Sequence, residues 1–323
     1  MDIICIGEAL IDFFAVKTGC NLRNVTEFKR IAGGAPANVA VGAARLGAEA
    51  TFIGRVGLDE FGFYLRDILR DNNVNIEMMQ FDKYARTGLA FISLPTPTSR
   101  EFLFYRNPSA DMLLDWQEFN FKLIENTKIF HFGSISLIEE KSRKSTIKAV
   151  EAAKKGKAII SYDPNLRIDL WQDTESAKKI IKEAMPLADI IKLNDVELEF
   201  ITGDSDIKTG AKSLLQYGAK LCLVTLGEKG SFYCSKFFSG FVPTYDVKTI
   251  DSTGCGDSFV SSFLSYLIDD DLENLAKNEK ELMHAVKFAT AAASLTSMKK
   301  GVISALPYKS ELDEFLKGSF PIQ

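Results

Sequence analysis

Short apolar runs alternate along most of this chain with longer stretches of helical periodicity, and this rhythm restricts the fold more than any other feature. Apolar runs stand at Lys128–Phe132, Ala158–Tyr162, Ile190–Leu193 and Leu221–Thr225, with helical patterns at Ser142–Lys154, Ser176–Ala184 and Lys208–Tyr217. Near the N-terminus, Met1–Ile6, Val39–Gly47, Thr51–Gly54 and Phe61–Asn72 repeat the strand–helix order, and Gly230–Cys234 adds a further strand. Strands joined through helices run parallel, and a parallel sheet has to be covered on both faces. The expected fold class is α/β: a mostly parallel central sheet covered by helices on both faces, three layers in all. Several strands end in a polar residue or glycine, namely Gly7, Gly54, Gly133, Asp163, Asn194 and Thr225. Ligands of such sheets sit beyond the carboxyl ends of the strands, so these ends frame the expected site.

Two stretches break the rhythm. Phe13–Ile31 and Thr87–Tyr105 have β character with no helix between their segments. The turn-rich run Pro95–Arg100 marks a hairpin tip between Thr87–Leu94 and Glu101–Tyr105. Both pieces are expected to form one small β lid. The expected division is residues 1–12, 32–86 and 109–323 for the α/β domain, with 13–31 and 87–108 for the discontinuous lid.

Composition narrows the chemistry. A net charge of −4 gives no electrostatic footprint for nucleic acid or an anionic membrane, so any phosphate site must be local. Cys5, Cys20, Cys222, Cys234 and Cys255 are dispersed with no Cys-x-x-Cys pair, which points to a reducing compartment. Two histidines, His131 and His284, leave little for multi-histidine metal chemistry. The N-terminal apolar run lacks a basic flank and reads as a strand, and no stretch approaches a membrane span. The expectation is a cytoplasmic protein.

Within this frame, Asp251-Ser252-Thr253-Gly254-Cys255-Gly256-Asp257 runs directly into the helical pattern Ser258–Leu264. A helix N-terminus offers unpaired N–H groups and partial positive charge, and glycines let an anion approach them. A carboxylate does not help to hold an anion, so Asp257 there suggests a base acting beside a phosphate. The competing reading is a tight turn with Asp257 as helix cap. The run is neither a P-loop, which needs a Lys-Ser/Thr, nor the dinucleotide fingerprint, whose third glycine is replaced by Phe259.

Weaker signals lie elsewhere. Gly33-Gly34 before Asn38, together with Asp12, offers backbone, amide and carboxylate to a sugar, or else a plain turn. Arg106 reads as a ligand contact or a solvated loop residue. Asp163-Pro164-Asn165-Leu166-Arg167 follows a strand, and the Arg167 guanidinium suits a phosphate. Asn194 and Glu197 share one helix face and can hold hydrated Mg²⁺, or can form a capping box. Thr225 to Gly230, with Gly227 between, can line a nucleotide or simply form a hairpin.

In their order and shared position at strand ends, these segments resemble the PfkB, or ribokinase-like, family of carbohydrate kinases. Gly33–Ala40 is similar to the family's N-terminal signature and Asp251–Asp257 to its C-terminal one. Phe104–Met112 and Ser161–Arg167 resemble segments found in fructokinases, and the resemblance runs from Ile3 to about Pro307. It implies a ribokinase-like α/β/α domain with a β lid that often serves as a homodimer contact, and ATP-dependent phosphorylation of a sugar hydroxymethyl group. It implies Asp257 as base and the backbone of Gly254, Cys255, Gly256 and Asp257 as anion hole. Asp12, Gly33, Gly34 and Asn38 match sugar-binding positions, and Arg106 a lid-side sugar contact. Asn194 and Glu197 match the motif tied to Mg²⁺ and phosphate. Thr225, Gly227 and the Ala292–Gly301 region match the nucleotide pocket. Asp251, Thr253 and Gly301 match a K⁺ site found in some members.

The chain departs from the pattern at Ser252, where threonine is common, and at Cys255 and Ser258, where alanine is common. All are small. Cys255 reads as an alanine substitute, although a thiol at a helix N-terminus can be held as thiolate. The implied reaction is phosphorylation of the 6-hydroxyl of D-fructose, with Arg167 assisting. Alternatives are a related kinase acting on 2-keto-3-deoxygluconate, ribose or a nucleoside, a dehydrogenase, and a non-catalytic relative.

Overall fold

The strand β1 (Ile3–Ile6) shows why the central sheet forms. All of its side chains are fully buried, with Ile3 and Cys5 in one apolar core and Ile4 and Ile6 in the other. A strand apolar on both faces is stable only between two covering layers. The computed structural model describes residues 1–96 and 101–318.

The remaining strands are β2 (Leu10–Ala15), β3 (Phe28–Gly33), β4 (Ala50–Gly57), β5 (Met79–Asp82), β6 (Leu89–Ser93), β7 (Glu101–Tyr105), β8 (Ile129–Gly133), β9 (Ile159–Asp163), β10 (Ile190–Asn194), β11 (Leu221–Thr225), β12 (Gly230–Ser235) and β13 (Ser239–Pro243). The helices are α1 (Ala35–Arg45), α2 (Glu60–Asp71), α3 (Phe121–Glu125), α4 (Glu140–Lys155), α5 (Thr174–Ala184), α6 (Asp195–Thr202), α7 (Ile207–Leu215), α8 (Cys255–Leu267), α9 (Leu272–Lys277), α10 (Glu279–Ser297) and α11 (Lys309–Leu316). Nine strands form the main sheet in the order β13-β12-β11-β10-β9-β8-β1-β4-β5. Its pairs are parallel from β11 through β5, and β12 and β13 join antiparallel at one edge. Helices α1, α2, α8, α9 and α10 cover one face, and α3 to α7 cover the other.

The expected strands and the mostly parallel sheet are present. The edge strands β5 and β13 were not read from the sequence. Helix α1 begins at Ala35 rather than Val39, because Pro36 is accommodated in a first turn, where its missing N–H costs nothing. That shift places Asn38 inside the helix. Gly47, at φ +100°, ends it as expected.

A separate four-stranded sheet, β3-β2-β6-β7, forms the lid. Strand β2 starts at Leu10 and β3 ends at Gly33, so Asp12 and Gly33 lie on lid strands close to the main domain. Phe14, Ile92, Phe102 and Phe104 face a cavity. On the opposite side Phe13 stacks on Phe91 at 5.0 Å between ring centres, and Phe28 and Tyr105 meet Phe91 edge-on. The expected hairpin is the β6–β7 pair, with Leu89 opposite Tyr105. Residues 97–100 of its expected tip lie outside the described residues. Among the described residues, no helix is long and apolar enough to cross a membrane.

Candidate active site

The turn that opens α8 is built by hydrogen bonds from its neighbours. The Ile250 and Asp251 N–H groups donate to Ser297 O at 2.7 and 3.1 Å. Asp251 Oδ1 accepts from the Thr253 N–H and hydroxyl, and Oδ2 accepts from the Gly301 N–H at 3.2 Å. Gly254 then turns the chain at φ +80°, where a Cβ would also lie 2.8 Å from Val302 Cγ1. Helix α8 starts at Cys255 with no side-chain cap. The Cys255 N–H donates to Ser252 O at 3.4 Å, and no side chain competes with an anion for the N–H groups that follow it in the first turn.

Asp257 does not cap this helix. Its carboxylate Oδ2 accepts a 2.7 Å hydrogen bond from Asn38 Nδ2 of α1. One helical turn further along both helices, a Cβ on Gly42 would lie 2.3 Å from Ser261 Oγ, so only glycine allows this approach of α1 to α8. The close packing of two small residues sets the Asn38–Asp257 contact. Asn38 is buried, lines the cavity described below, and its Oδ1 has no hydrogen-bond partner in the protein. Burial pushes the Asp257 carboxyl up to about 6, with Asp163 adding to the rise and Asn38, Lys192 and Arg167 opposing it.

The lid side adds two more carboxylates. A Cβ on Gly33 would lie 2.2 Å from Asp12 Oδ2, so the glycine makes room for that side chain. Burial raises the Asp12 carboxyl to about 7, against the pull of Arg167. Glu8 Oε1 accepts from the Ala35 N–H at 3.0 Å, at the start of α1, and burial raises it to about 7 as well. At Gly34, φ is +108° and a Cβ would meet Glu8 O at 2.3 Å. Glu8 was not singled out in the sequence, although a carboxylate directly after a strand-ending glycine was the available signal.

A cavity of about 1100 Å³ runs along the carboxyl ends of β9 to β11, between the lid, α8 and α10. It gathers Asp12, Gly34, Asn38, Arg167, Asn194, Glu197, Thr225, Gly227, Gly230 and Thr253 to Asp257. The Thr225–Gly230 segment is indeed a hairpin, and its turn lines the cavity. Arg167 is exposed on its loop, with Nη1 donating to Leu166 O at 3.1 Å. Asn194 and Glu197 form a reciprocal capping box at 2.8 and 2.9 Å. Glu197 Oε1 also accepts from the Leu166 N–H at 2.7 Å, so both carboxylate oxygens are engaged by backbone. Among the described residues, no group of three or more His, Cys, Asp or Glu is arranged to hold a metal.

Some expected residues stand elsewhere. Arg106 does not line the cavity; its guanidinium is buried against Asp111, through Nε at 3.1 Å and through Nη2. Ala292 packs with Leu46, Leu295 and Leu312, whereas its neighbours Ala293 and Ser294 face the cavity. Gly33, Asp251 and Gly301 support the wall from behind. Lys192, buried on β10 and lining the cavity, was missed. Its signal was a single charge inside the apolar run Ile190-Ile191-Lys192-Leu193.

The model of the pfkB family carbohydrate kinases matches residues 1–309. Fructokinase-2 of Solanum lycopersicum is 49% identical over 317 residues, covering 98% of this chain and 96% of that protein. The crystal structure of fructokinase with bound ATP from Xylella fastidiosa superposes with a TM-score of 0.90 at 32% identity, over 98% of each chain. A double-mutant fructokinase from Vibrio cholerae O395, in its fructose-, ADP- and potassium-ion-bound form, gives 0.86 at 32% identity over 98% of each chain. The doubly covered sheet, the small lid and the match along nearly the whole sequence agree, and the chain belongs to the pfkB family of carbohydrate kinases.

Proposed function

We propose that this chain is a fructokinase, transferring the γ-phosphoryl group of ATP to the 6-hydroxyl of D-fructose to give fructose 6-phosphate and ADP. The observation that carries the chemistry is the Asn38–Asp257 contact at the uncapped start of α8, facing one large cavity. The choice of sugar is supported by the likeness to fructokinases, one of them in fructose-bound form.

In this reading the sugar lies between the lid and α1, with hydroxyls on Asp12, the Gly34 backbone and Asn38. Asn38 holds one oxygen of Asp257 and leaves the other for the 6-hydroxyl. Asp257 takes the hydroxyl proton as the sugar oxygen bonds to the γ-phosphorus and the bond to ADP breaks. The backbone of Gly254, Cys255, Gly256 and Asp257 binds the oxygens of the transferred group, assisted by Arg167. The nucleotide lies along Thr225, Gly227, Gly230 and the Ala293–Ser294 face of α10.

Mg²⁺ neutralises charge on the phosphates when bound. Asn194 and Glu197 suit that ion through water, since the oxygens of Glu197 already accept backbone N–H groups. Asp251 and Thr253 lie in the turn before α8, Gly301 donates to Asp251 from the segment after α10, and together they suit the K⁺ assignment. The lid, strands β2, β3, β6 and β7, closes over the sugar and excludes water. Its outward aromatic face suits a homodimer contact. Cysteines that form no disulfide suit the cytoplasm.

A coupled ADP-release assay with Mg²⁺, with and without K⁺, tests the assignment. The highest kcat/KM is expected with fructose, and a higher value with 2-keto-3-deoxygluconate, ribose or a nucleoside would reassign the sugar.

The raised carboxyls set the pH behaviour. Asp257 must be ionised to act, so kcat/KM should fall as pH drops through about 6. Stability should move the other way. A carboxyl whose folded value is raised favours the folded state below its ordinary range, and that contribution is lost as pH rises through the folded value. For Asp12 the loss is complete above about 7. Asp12→Asn should therefore raise the melting temperature at pH 8 while raising fructose KM by about tenfold, the scale of one lost hydrogen bond to a charged group. Unchanged KM would remove Asp12 from the sugar site.

A further inference from the structure

Lys192 is the one charged residue of β10, set between Ile191 and Leu193, which pack into the core on the opposite face. Its side chain is 7% exposed and its Nζ donates to Asp163 Oδ2 at 2.9 Å. Asp163, 5% exposed, is itself fixed, because its Oδ1 accepts from the Asn165 N–H at 3.2 Å. The ammonium has three donors, and Asp163 takes one of them. The same nitrogen lies 3.1 Å from the point where a Cβ on Gly256 would stand. Gly256 is part of the turn that offers its N–H groups at the start of α8, so the cation and those groups meet at one place. A buried ion pair adds little or nothing to stability over an apolar pair of similar size, and stability alone does not explain this one.

We propose that Lys192 touches the phosphoryl group in flight, as a catalytic cation completing the cradle at the α8 turn, with Asp163 as the residue that positions it. The inference rests on the kinase reading above, which places the transferred group at this turn. Here the sheet delivers a fixed positive charge from below, while α8 supplies N–H groups from the side. Neither has to reorganise as negative charge spreads over the transferred oxygens. The rival role for Lys192 is to neutralise Asp163 and nothing more.

The test compares wild type with Lys192→Met and with the double variant Lys192→Met, Asp163→Asn, which removes both charges and so leaves no unpaired carboxylate. Fructose-dependent ADP release, melting temperature, and calorimetric affinity for ATP and for ADP without sugar are measured on each. Lys192→Met should lower kcat by about 100-fold, the scale of one lost transition-state donor, with fructose KM within about threefold. ATP affinity should fall by about tenfold more than ADP affinity, since only ATP carries the transferred group. The double variant should melt close to wild type yet remain as slow as the single one. Turnover regained in the double variant, or equal losses for ATP and ADP, would overturn the proposal. A wild-type chain that phosphorylates no sugar would instead overturn the kinase reading on which it rests.

Discussion

Asp257→Asn should lower kcat by about 1000-fold while leaving KM for fructose and ATP within a few-fold, the range expected when a general base is removed without disturbing its surroundings. The substitution is nearly isosteric, and an amide oxygen at position 257 can still accept from Asn38 Nδ2, so the α1–α8 contact survives. The backbone cradle is unaffected, because its N–H groups owe nothing to this side chain. Folding should benefit. Burial raises the Asp257 carboxyl to about 6, which means that its ionised form is disfavoured in the folded protein at pH 8. The variant should thus melt higher than wild type at pH 8 and lose most of that advantage near pH 4, where the group is neutral in the folded state and, with its ordinary value of 3.8, partly neutral in the unfolded one. Steady-state kinetics and melting curves at the two pH values check both halves. Near-normal turnover in Asp257→Asn would sink the base assignment.

The sequence makes Asp257 and Asn38 visible as separate motifs, but their hydrogen bond spans 219 positions and needs the α1–α8 packing to exist. Its physical origin lies at Gly42 and Ser261, which look unremarkable in the chain and only acquire meaning when two helices approach. The parallel sheet was legible because its strands are apolar on both faces. The edge strands β5 and β13 were not: β5 carries Gln80 and Asp82 among its few residues, and in β13 only Val242 is buried. Ala292 stands in the core one residue before Ala293, which lines the cavity, because one residue on a helix is a rotation of about 100°. Lys192 was hidden for the opposite reason, since an apolar run draws attention to its hydrophobic residues. The Asn194–Glu197 pattern supports both of its readings, because a capping box and a metal-linked carboxylate use the same spacing. The observed hydrogen bonds show the box, and they limit Glu197 to acting on an ion at one remove.

Arg106 gives the sharpest separation between what a motif implies and what the fold does with it. The motif suggests a sugar contact; the structure buries the guanidinium against Asp111, five positions on, with both side chains almost wholly covered. Arg106→Met should therefore act on stability. Removing one partner of a buried pair strands the other charge, at a cost of about 3–5 kcal/mol. Asp111 would then be the stranded group, and Glu8, which feels the positive charge of Arg106, would lose part of what favours its ionised form. Since Glu8 accepts the first N–H of α1, the effect should reach the helix that carries Asn38. Adding Asp111→Asn should recover most of the loss, because the second substitution removes the unpaired carboxylate. Urea unfolding of wild type, Arg106→Met and the double variant measures this, with fructose KM taken well below each melting temperature. A structural pair predicts a large fall in midpoint, substantial recovery in the double variant and a KM within about threefold once that variant is folded. A direct sugar contact predicts the reverse: an unchanged midpoint, and a KM that rises in the single variant and is not restored by Asp111→Asn.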